Sequence, residues 1–326
     1  MDAVRRTLTD ASPFDKHAGL EMVGDPPSSE TSAADCSARD LRIAAADGFS
    51  LAATLHAAAD RAAGVVVVNS ATGVRRAFYR RFAAHLAAHG LDVLTYDYRG
   101  IGESRPRSLR GFSAAMHHWG ERDLTGVLAW AHAHAAGRRI VAVGHSAGGQ
   151  IVGLAPNRRF VSALLAVGAQ SGDWRLWPAP ARYRMALLWY GVVPAVANAF
   201  GYLPGAFGIG EDLPRGVALE WAHWCRTPAY LAGDDGARRR AFAAFDGHIL
   251  AMSFDDDDYA PSRAVDGLME LYASARVTRR HVRPADVGMP VGHFGFFREA
   301  MRERLWRDAT AWLVDRVSER DRDVAA

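Results

Sequence analysis

The segment 140–149, IVAVGHSAGG, combines an apolar strand, a sharp turn and the start of a helix. The turn carries Gly-x-Ser-x-Gly with Ser146 at its centre. A serine on a tight strand-to-helix turn projects its hydroxyl above the sheet, and glycines flank it because a Cβ there would clash with neighbouring backbone. The N–H groups of the following helix point at any anion that forms beside Ser146. The segment therefore predicts a serine nucleophile at the carboxyl end of a strand.

The chain on both sides of this segment alternates between strand and helix patterns. Apolar or alternating strands are predicted at 64–68, 91–96, 161–167, 248–254 and 276–282, and a hairpin at 40–57 around Asp47-Gly48. Helical spacing is found at 78–87, 121–136, 261–275 and 297–317. This rhythm predicts right-handed crossovers and a doubly wound, mostly parallel α/β sheet, in which sites form at the carboxyl ends of strands.

The elbow segment Gly144–Gly149 resembles the nucleophile elbow of the α/β-hydrolase superfamily. The resemblance covers most of the chain, from about residue 40 to about residue 318, and includes the layout of lipase-like and serine-aminopeptidase-like members. It implies an α/β-hydrolase fold with an inserted helical cap. We divide the chain accordingly into a flexible leader (1–38), a core in two parts (39–172 and 247–318), the cap (173–246) and a tail (319–326).

The resemblance also implies a catalytic triad, because a serine hydroxyl needs a base and the base needs an orienting acid. The superfamily order is Ser, then Asp or Glu, then His. His293 follows a glycine and precedes an aromatic run, as the family's catalytic histidine does. Within the run 255–258 of four aspartates, the family's spacing to the following proline selects Asp257, with Asp256 as the alternative. The other histidines considered have less suitable places: His117 and His118 in a loop, His132 and His134 in mid-helix, and His281 in a strand.

The oxyanion hole of the family uses two backbone N–H groups. The first would be that of Ala147, directly after Ser146, and the second comes from the loop after the strand 64–68. Many relatives have His-Gly there, whereas this chain has Asn69-Ser70. By alignment with the family the second donor is Ala71, with Thr72 as the alternative. The replacement of His-Gly by Asn69-Ser70 would affect the geometry of this loop.

The segment 173–246 interrupts the alternation and is rich in tryptophan. No clean strand is predicted in it, and residues 185–210 carry no charged side chain. A membrane span could be that long, but Pro194 and Pro204 make a stable spanning helix unfavourable. We interpret the segment as a helical cap whose apolar side faces the catalytic pocket, with a lipid-facing role or packing alone as alternatives. The tryptophans assigned to the substrate pocket are Trp174, Trp177 and Trp189.

The composition excludes several classes of function. Across 326 residues the formal charge is +3, and the basic residues are scattered, whereas nucleic-acid binding requires a concentrated basic face. Cys36 and Cys225 form neither a disulfide framework nor a metal pattern. No metal or organic cofactor is implied, and the aspartate run lacks the ligand spacing of an EF-hand. No signal peptide is evident after Met1, so a cytoplasmic protein is predicted.

The sequence therefore predicts a serine hydrolase. Its substrate would be a small carboxylic ester or thioester with an apolar acyl or aromatic part, cleaved through an acyl-enzyme. An acyltransferase with the same triad, a serine aminopeptidase and a non-catalytic small-molecule binding module remain alternatives, because a fold does not fix a chemistry. The oligomeric state is not predicted.

Overall fold

The structure is a computed structural model that describes residues 38–207, 210–233 and 236–319. The leader predicted at 1–38 lies outside the described residues except for its last residue. The tail predicted at 319–326 lies outside them except for its first residue. Cys36 is also outside them, and Cys225 is a buried free cysteine.

Eight strands form one mixed sheet. Their bounds are β1 Ala38–Ala44, β2 Ser50–His56, β3 Gly64–Asn69, β4 Leu91–Tyr96, β5 Ile140–His145, β6 Val161–Val167, β9 His248–Phe254 and β10 Arg276–Val282, with a separate short pair β7 Tyr202–Leu203 and β8 Leu213–Pro214. The order across the sheet is β1-β2-β4-β3-β5-β6-β9-β10. The pairs β1–β2 and β2–β4 are antiparallel, and all others in this sheet are parallel.

Helices cover both faces of this sheet. The α-helical segments of the described residues are Arg80–Ala88, Met116–His118, Thr125–Ala135, Ala147–Leu154, Ala181–Leu187, Val193–Phe200, Arg215–Arg226, Gly236–Ala243, Ser262–Met269, Pro284–Val287 and Arg307–Ser318. The first and last of these pack on one face, where Phe82 and Leu313 are fully buried. The elbow helix and its neighbours pack on the other face, where Leu128 and Ile151 are fully buried. Apolar burial on both faces explains why the central strands have continuous apolar runs.

The predicted strands and the hairpin are confirmed, and the doubly wound, mostly parallel sheet is that of the α/β-hydrolase fold. Several helix predictions were wrong in extent. The helix expected at 121–136 is preceded by helical turns from Met116, so His117 and His118 are helical and not in a loop. The helix expected at 261–275 ends at Met269, because the chain turns to bury Tyr272, whose hydroxyl donates to the Gly149 carbonyl.

The last predicted helix, 297–317, is regular only over Arg307–Ser318. Before it the chain forms 3₁₀ turns and a π-helical turn. Phe296, Phe297 and Trp306 are buried there, and the indole N–H of Trp306 donates to the Phe296 carbonyl. Packing of these rings therefore determines the local backbone more than helical spacing does.

The segment 173–246 lies between β6 and β9 in the chain and contributes no strand to the main sheet. It contains the four α-helices between Ala181 and Ala243, and the short antiparallel pair β7–β8 corrects the expectation that it has no strand. No helix among the described residues is long and apolar enough to cross a membrane.

Candidate active site

Ser146 lies at the end of β5 in a strained backbone conformation. Its φ is 52° and its ψ is −117°, a region that side-chain-bearing residues rarely occupy. The elbow is tight enough to require glycine on both sides. A Cβ at Gly144 would lie 2.6 Å from the Cα of Gly149, and one at Gly148 would lie 2.1 Å from the backbone oxygen of Asn69. The sequence Gly-x-Ser-x-Gly-Gly is thus explained by close backbone approach.

Asp257 and His293 form a buried pair beside the elbow. The Nδ1–H of His293 donates to Asp257 Oδ2 at 2.8 Å. The other carboxylate oxygen accepts the N–H groups of Tyr259 and Ala260, at 2.8 and 2.9 Å. A carboxylate held at both oxygens fixes the imidazole orientation and leaves Nε2 without a proton, which is the form a general base requires.

The remaining aspartates of the run have other surroundings. Asp255, Asp256 and Asp258 are exposed, whereas Asp257 is 4% exposed. Asp256 Oδ2 accepts the N–H of Val291, so this residue ties down the loop that precedes His293. The structure therefore brings Asp257, and not Asp256, onto the imidazole.

Gly168, directly after β6, lies against the Asp257–His293 pair. Its φ is +55°, and a Cβ there would lie 3.3 Å from both Asp257 Oδ2 and His293 Nδ1. Any larger side chain at this position would therefore press on the aspartate–histidine pair. The backbone N–H of Ser146 donates to the carbonyl of Val167, which places the elbow next to Gly168.

His145, the residue before Ser146, connects three loops of the site. One ring nitrogen, Nε2, is 2.9 Å from the backbone carbonyl of His293, so it must carry the proton and donate. The other, Nδ1, then accepts from the hydroxyl of Tyr79 at 2.8 Å. That hydroxyl in turn accepts the N–H of Ala71 at 2.9 Å. Burial lowers the pKa of His145 well below its usual value and raises that of Tyr79, so both stay neutral.

The two predicted oxyanion donors differ in their surroundings. Ala147 begins the helix after Ser146, so its N–H has no intrahelical acceptor. The N–H of Ala71 is engaged by Tyr79, as described. Thr72, the alternative, is half-buried in the same loop.

The residues that replace His-Gly in this chain are both buried. Asn69 accepts from the Tyr96 hydroxyl at 2.7 Å and donates to the Val143 carbonyl at 3.5 Å, so its amide ties the loop to the sheet. The hydroxyl oxygen of Ser70 is buried without a hydrogen-bond partner among the described residues. The departure from His-Gly is thus accommodated by local hydrogen bonding at Asn69.

Gln170 is a site residue that the sequence analysis missed. The Ser146 hydroxyl donates to its Oε1 at 3.4 Å, and its Nε2 donates to the Tyr259 carbonyl at 3.2 Å. Its backbone carbonyl accepts from Gln150, whose own amide oxygen accepts from the Tyr230 hydroxyl. The bond to Tyr259 fixes the amide with its oxygen toward Ser146. Its place just after β6, at the carboxyl end of a central strand, is the signal that could have identified it.

Aromatic rings contact His293 and the residue that follows it. Tyr259 stacks on the imidazole with ring centroids 5.1 Å apart, and Phe294 contacts it edge-on at 5.0 Å. Phe78 contacts Phe294 at 6.2 Å. Tyr259, Phe294 and Phe78 are all half-buried, and burial beside Asp257 raises the pKa of Tyr259 to about 12.

The three tryptophans assigned to the pocket are only partly at the site. Trp177 is buried, and its indole N–H donates to the backbone oxygen of Asp258 at 3.0 Å, next to Asp257. Trp174 lies under the guanidinium of Arg175. Trp189 packs against Trp221, in the hydrophobic core of the segment 173–246. Trp177 therefore contacts the loop that carries Asp257. The ring contacts of Trp174 and Trp189 are with Arg175 and Trp221, which both belong to the segment 173–246.

The described residues include no group of three or more His, Cys, Asp or Glu side chains that could hold a metal ion.

Comparison with known proteins gives the same fold. A family model described as alpha/beta hydrolase fold matches residues 65–201. No curated protein matches the sequence significantly. A carboxyl esterase from Bacillus coagulans, solved with glycerol, is similar with a TM-score of 0.63 and 11% identity over 86% of this chain and 99% of that chain.

Two other solved structures are similar at comparable levels. DcsB, in complex with its substrate analogue, has a TM-score of 0.61 and 14% identity over 87% of this chain and 100% of that chain. A monoglyceride lipase from Saccharomyces cerevisiae, in complex with a substrate analog, has a TM-score of 0.59 and 13% identity over 82% of this chain and 93% of that chain. With the sheet order and the matched family model, these likenesses lead to one conclusion: the chain has the α/β-hydrolase fold.

Proposed function

We propose that this protein is a serine hydrolase that cleaves an ester or thioester through an acyl-enzyme, with Ser146, His293 and Asp257 as its triad. The observation that carries the proposal is the buried 2.8 Å hydrogen bond from His293 Nδ1 to Asp257, beside a serine held in a strained elbow. The esterase and lipase among the structural neighbours support the same reaction class.

Acylation would begin at the Ser146 hydroxyl. His293 Nε2 takes its proton as Oγ attacks the substrate carbonyl, and Asp257 stabilises the imidazolium without itself taking the proton. The negative charge on the carbonyl oxygen is met by the N–H of Ala147 at the helix N-terminus. The N–H of Ala71, the second predicted donor, donates to the Tyr79 hydroxyl in this structure. It would have to share or release that hydrogen bond to reach the carbonyl oxygen. The protonated His293 then gives its proton to the leaving alcohol or thiol.

Deacylation needs a water molecule placed beside the acyl carbonyl. Once Ser146 Oγ carries the acyl group it has no proton to donate, so Gln170 Oε1 loses this donor. We assign this oxygen to the water: it accepts one proton of the water in a hydrogen bond while His293 removes the other. Attack on the acyl carbon releases the acid, and Ser146 regains its proton from His293.

The surroundings of His293 support a substrate with an apolar or aromatic part. Tyr259 and Phe294 present half-buried rings at the imidazole, Phe78 packs against Phe294, and Trp177 is buried beside the aspartate loop. Such rings favour an apolar group over a charged one. The segment 173–246 is the cap in this proposal.

Acyl transfer is the second candidate, because Gln170 Oε1 can accept a hydrogen bond from an alcohol as readily as from water. Products formed with and without excess glycerol separate the two reactions. A hydrolase releases free acid in both cases, whereas a transferase shifts its product to the glyceryl ester.

The test is hydrolysis of a series of p-nitrophenyl esters of increasing acyl length by the wild type, Ser146→Ala and Ser108→Ala. Ser108 is an exposed loop serine, so its variant is a matched control. We expect hydrolysis by the wild type and the control, and a loss of about 10⁴-fold or more in Ser146→Ala. Equal activity of all three proteins would contradict the proposal.

A further inference from the structure

One helical run carries all the large apolar side chains that the described residues expose. It consists of Ala181–Leu187, a π-helical turn Leu188–Val192, and Val193–Phe200. The exposed fractions are 59% for Tyr183, 67% for Leu187, 55% for Tyr190 and 45% for Phe200. We call these four residues the apolar stripe. Exposed apolar side chains concentrated in one place indicate an interaction surface, whereas scattered ones do not.

The opposite side of the same run is buried. Leu188, Trp189, Val193 and Ala197 are at most 8% exposed and belong to the hydrophobic core. The run is therefore anchored by one face. On the other face Tyr190 contacts the Arg226 guanidinium and Phe200 contacts the Tyr202 ring, yet each stripe side chain is still at least 45% exposed. Spacings of four and three residues between Tyr183, Leu187 and Tyr190 put these side chains on one outward face.

The stretch of chain that carries the stripe has charges of a single sign. Between Asp173 and Glu211 it has three arginines, Arg175, Arg182 and Arg184, and no acidic residue. Arg175 is paired with Asp173 at 2.8 Å. The guanidinium of Arg182 lies 5.0 Å from the centre of the Tyr183 ring. The exposed guanidinium of Arg184 makes no hydrogen bond or ion pair within the part of the chain that the structure describes.

This charge pattern distinguishes between two possible binding partners of the stripe, a second copy of the chain and a lipid surface. Two copies of the chain that met through the stripe about a two-fold axis would bring Arg182 and Arg184 of both copies together, with no carboxylate between Asp173 and Glu211 to offset them. An anionic lipid surface offers both components that the stripe needs. Its acyl region accepts apolar side chains, tyrosines favour the interface, and its headgroups attract arginine.

We propose that the apolar stripe docks this protein onto an anionic lipid bilayer, with the helical run lying in the plane of the interface. Trp177, just before the run, donates to the backbone oxygen of Asp258, so the run begins close to the loop of Asp257. Docking would hold the candidate active site near the bilayer surface, where an apolar ester is concentrated. The docking itself does not depend on the chemistry at Ser146, because binding is measured without substrate.

The test is co-sedimentation with sucrose-loaded vesicles of phosphatidylcholine alone and of phosphatidylcholine mixed with phosphatidylglycerol. We expect the wild type to bind the anionic vesicles, and added salt to weaken binding. Arg182→Gln with Arg184→Gln should weaken it about 30-fold, since a juxtamembrane arginine contributes about 1 kcal/mol. Leu187→Ser with Tyr190→Ser should reduce it at least as much. Circular dichroism of each variant checks that the fold is intact.

The matched control is Arg39→Gln with Arg61→Gln, which removes the same charge from an exposed position of β1 and an exposed position in the loop between β2 and β3. It should bind like the wild type. Three results would overturn the proposal: no binding of the wild type to anionic vesicles, equal loss in the control, or a wild-type dimer that Leu187→Ser with Tyr190→Ser converts to a monomer. The last result would mean that a second copy covers the stripe.

Discussion

Two regions of this molecule each hold a buried histidine, and the two histidines differ in what surrounds the ring. His145, at the carboxyl ends of the strands, is hydrogen-bonded at both ring nitrogens, to Tyr79 and to the His293 carbonyl. His85, in the helical layer against Trp306, is 7% exposed, and neither of its ring nitrogens has a partner among the described residues. The buried hydroxyl of the nearby Thr310 also has no hydrogen-bond partner among the described residues.

Burial lowers the pKa of both histidines, so a lowered pKa alone does not mark a functional residue. The distinguishing feature is the set of partners. Around Ser146 the polar groups hold one another in fixed positions, which catalysis requires. Around His85 they only cost stability. Substitutions in the first region should therefore reduce activity, and substitutions in the second should change stability and leave activity alone.

The largest effect is expected at Asp257. In Asp257→Asn the amide cannot hold His293 in the tautomer with a proton on Nδ1, and kcat should fall about 10⁴-fold. Asp256→Asn is the matched control, because Asp256 is exposed and bonds only the N–H of Val291. It should lose less than about 10-fold, the value of one hydrogen bond. The measurement is the steady-state kcat of both variants on one ester. Equal losses of kcat in the two variants would contradict the assignment of Asp257 as the acid that orients His293.

The next effect is expected at Gln170. Gln170→Met removes the acceptor assigned to the deacylating water, so deacylation should slow about 10-fold while the acylation burst remains. Intact mass spectrometry after mixing with ester should show accumulated acyl-enzyme. In the control Gln150→Met the side chain of Gln170 is retained, and no accumulation is expected. Deacylation of Gln170→Met at the wild-type rate would refute the assignment.

A smaller effect is expected at Tyr79. Tyr79→Phe leaves His145 Nδ1 and the Ala71 N–H without their partner. The loops that carry Ala71 and His293 are then held less firmly, and kcat should fall about 10-fold with KM nearly unchanged. A variant that only loses stability would show a lower Tm with an unchanged kcat, and that outcome would restrict Tyr79 to a structural role.

The second region should respond only in stability. Thr310→Val replaces an unpartnered buried hydroxyl with a methyl of the same shape and should stabilise the fold by about 1 kcal/mol. Denaturant titration measures the gain, and ester hydrolysis should be unchanged. A destabilised Thr310→Val would show that the hydroxyl has a bound partner, such as water.

The same region predicts a pH dependence. Burial lowers the pKa of His85 to about 4, whereas an unfolded chain takes up this proton near the usual value of 6.5. Between these values the unfolded state binds more protons, so His85 destabilises the fold as pH falls from about 6.5 to about 4. His85→Phe should lose less stability over this window than the wild type. Parallel curves of unfolding free energy against pH for the two proteins would contradict the expectation.

The core and its site were the most predictable parts of this chain. β4, β6, β9 and β10 have the predicted bounds. For β6 and β9 the reason is that strands buried on both faces leave continuous apolar runs, whereas β10 is an exposed edge strand of mostly polar residues. Ser146 was predictable because its elbow demands glycines at fixed positions. Asp257 and His293 followed from the resemblance, and the structure brings them together. Their roles remain predictions, as do the cap and the domain bounds.

Other features depend on contacts between distant parts of the chain, and the sequence analysis missed or misassigned them. Gln170 and Tyr79 belong to no motif, and they reach the site only through the sheet order and the packing of the loops after β6 and β3. The pair β7–β8 has two residues in each strand, too few to leave a periodic pattern. Trp189 was assigned to the pocket because it lies in the tryptophan-rich segment 173–246, yet it packs against Trp221 in the core.

Covalent labelling with a fluorophosphonate probe tests the central claim most directly, because such probes react with serines activated by a base. The folded wild type should gain one adduct by intact mass, and peptide mapping should place it on Ser146. Ser146→Ala and the denatured wild type should gain none. An unlabelled folded wild type, or an adduct that persists in Ser146→Ala, would contradict the assignment of Ser146 as the nucleophile.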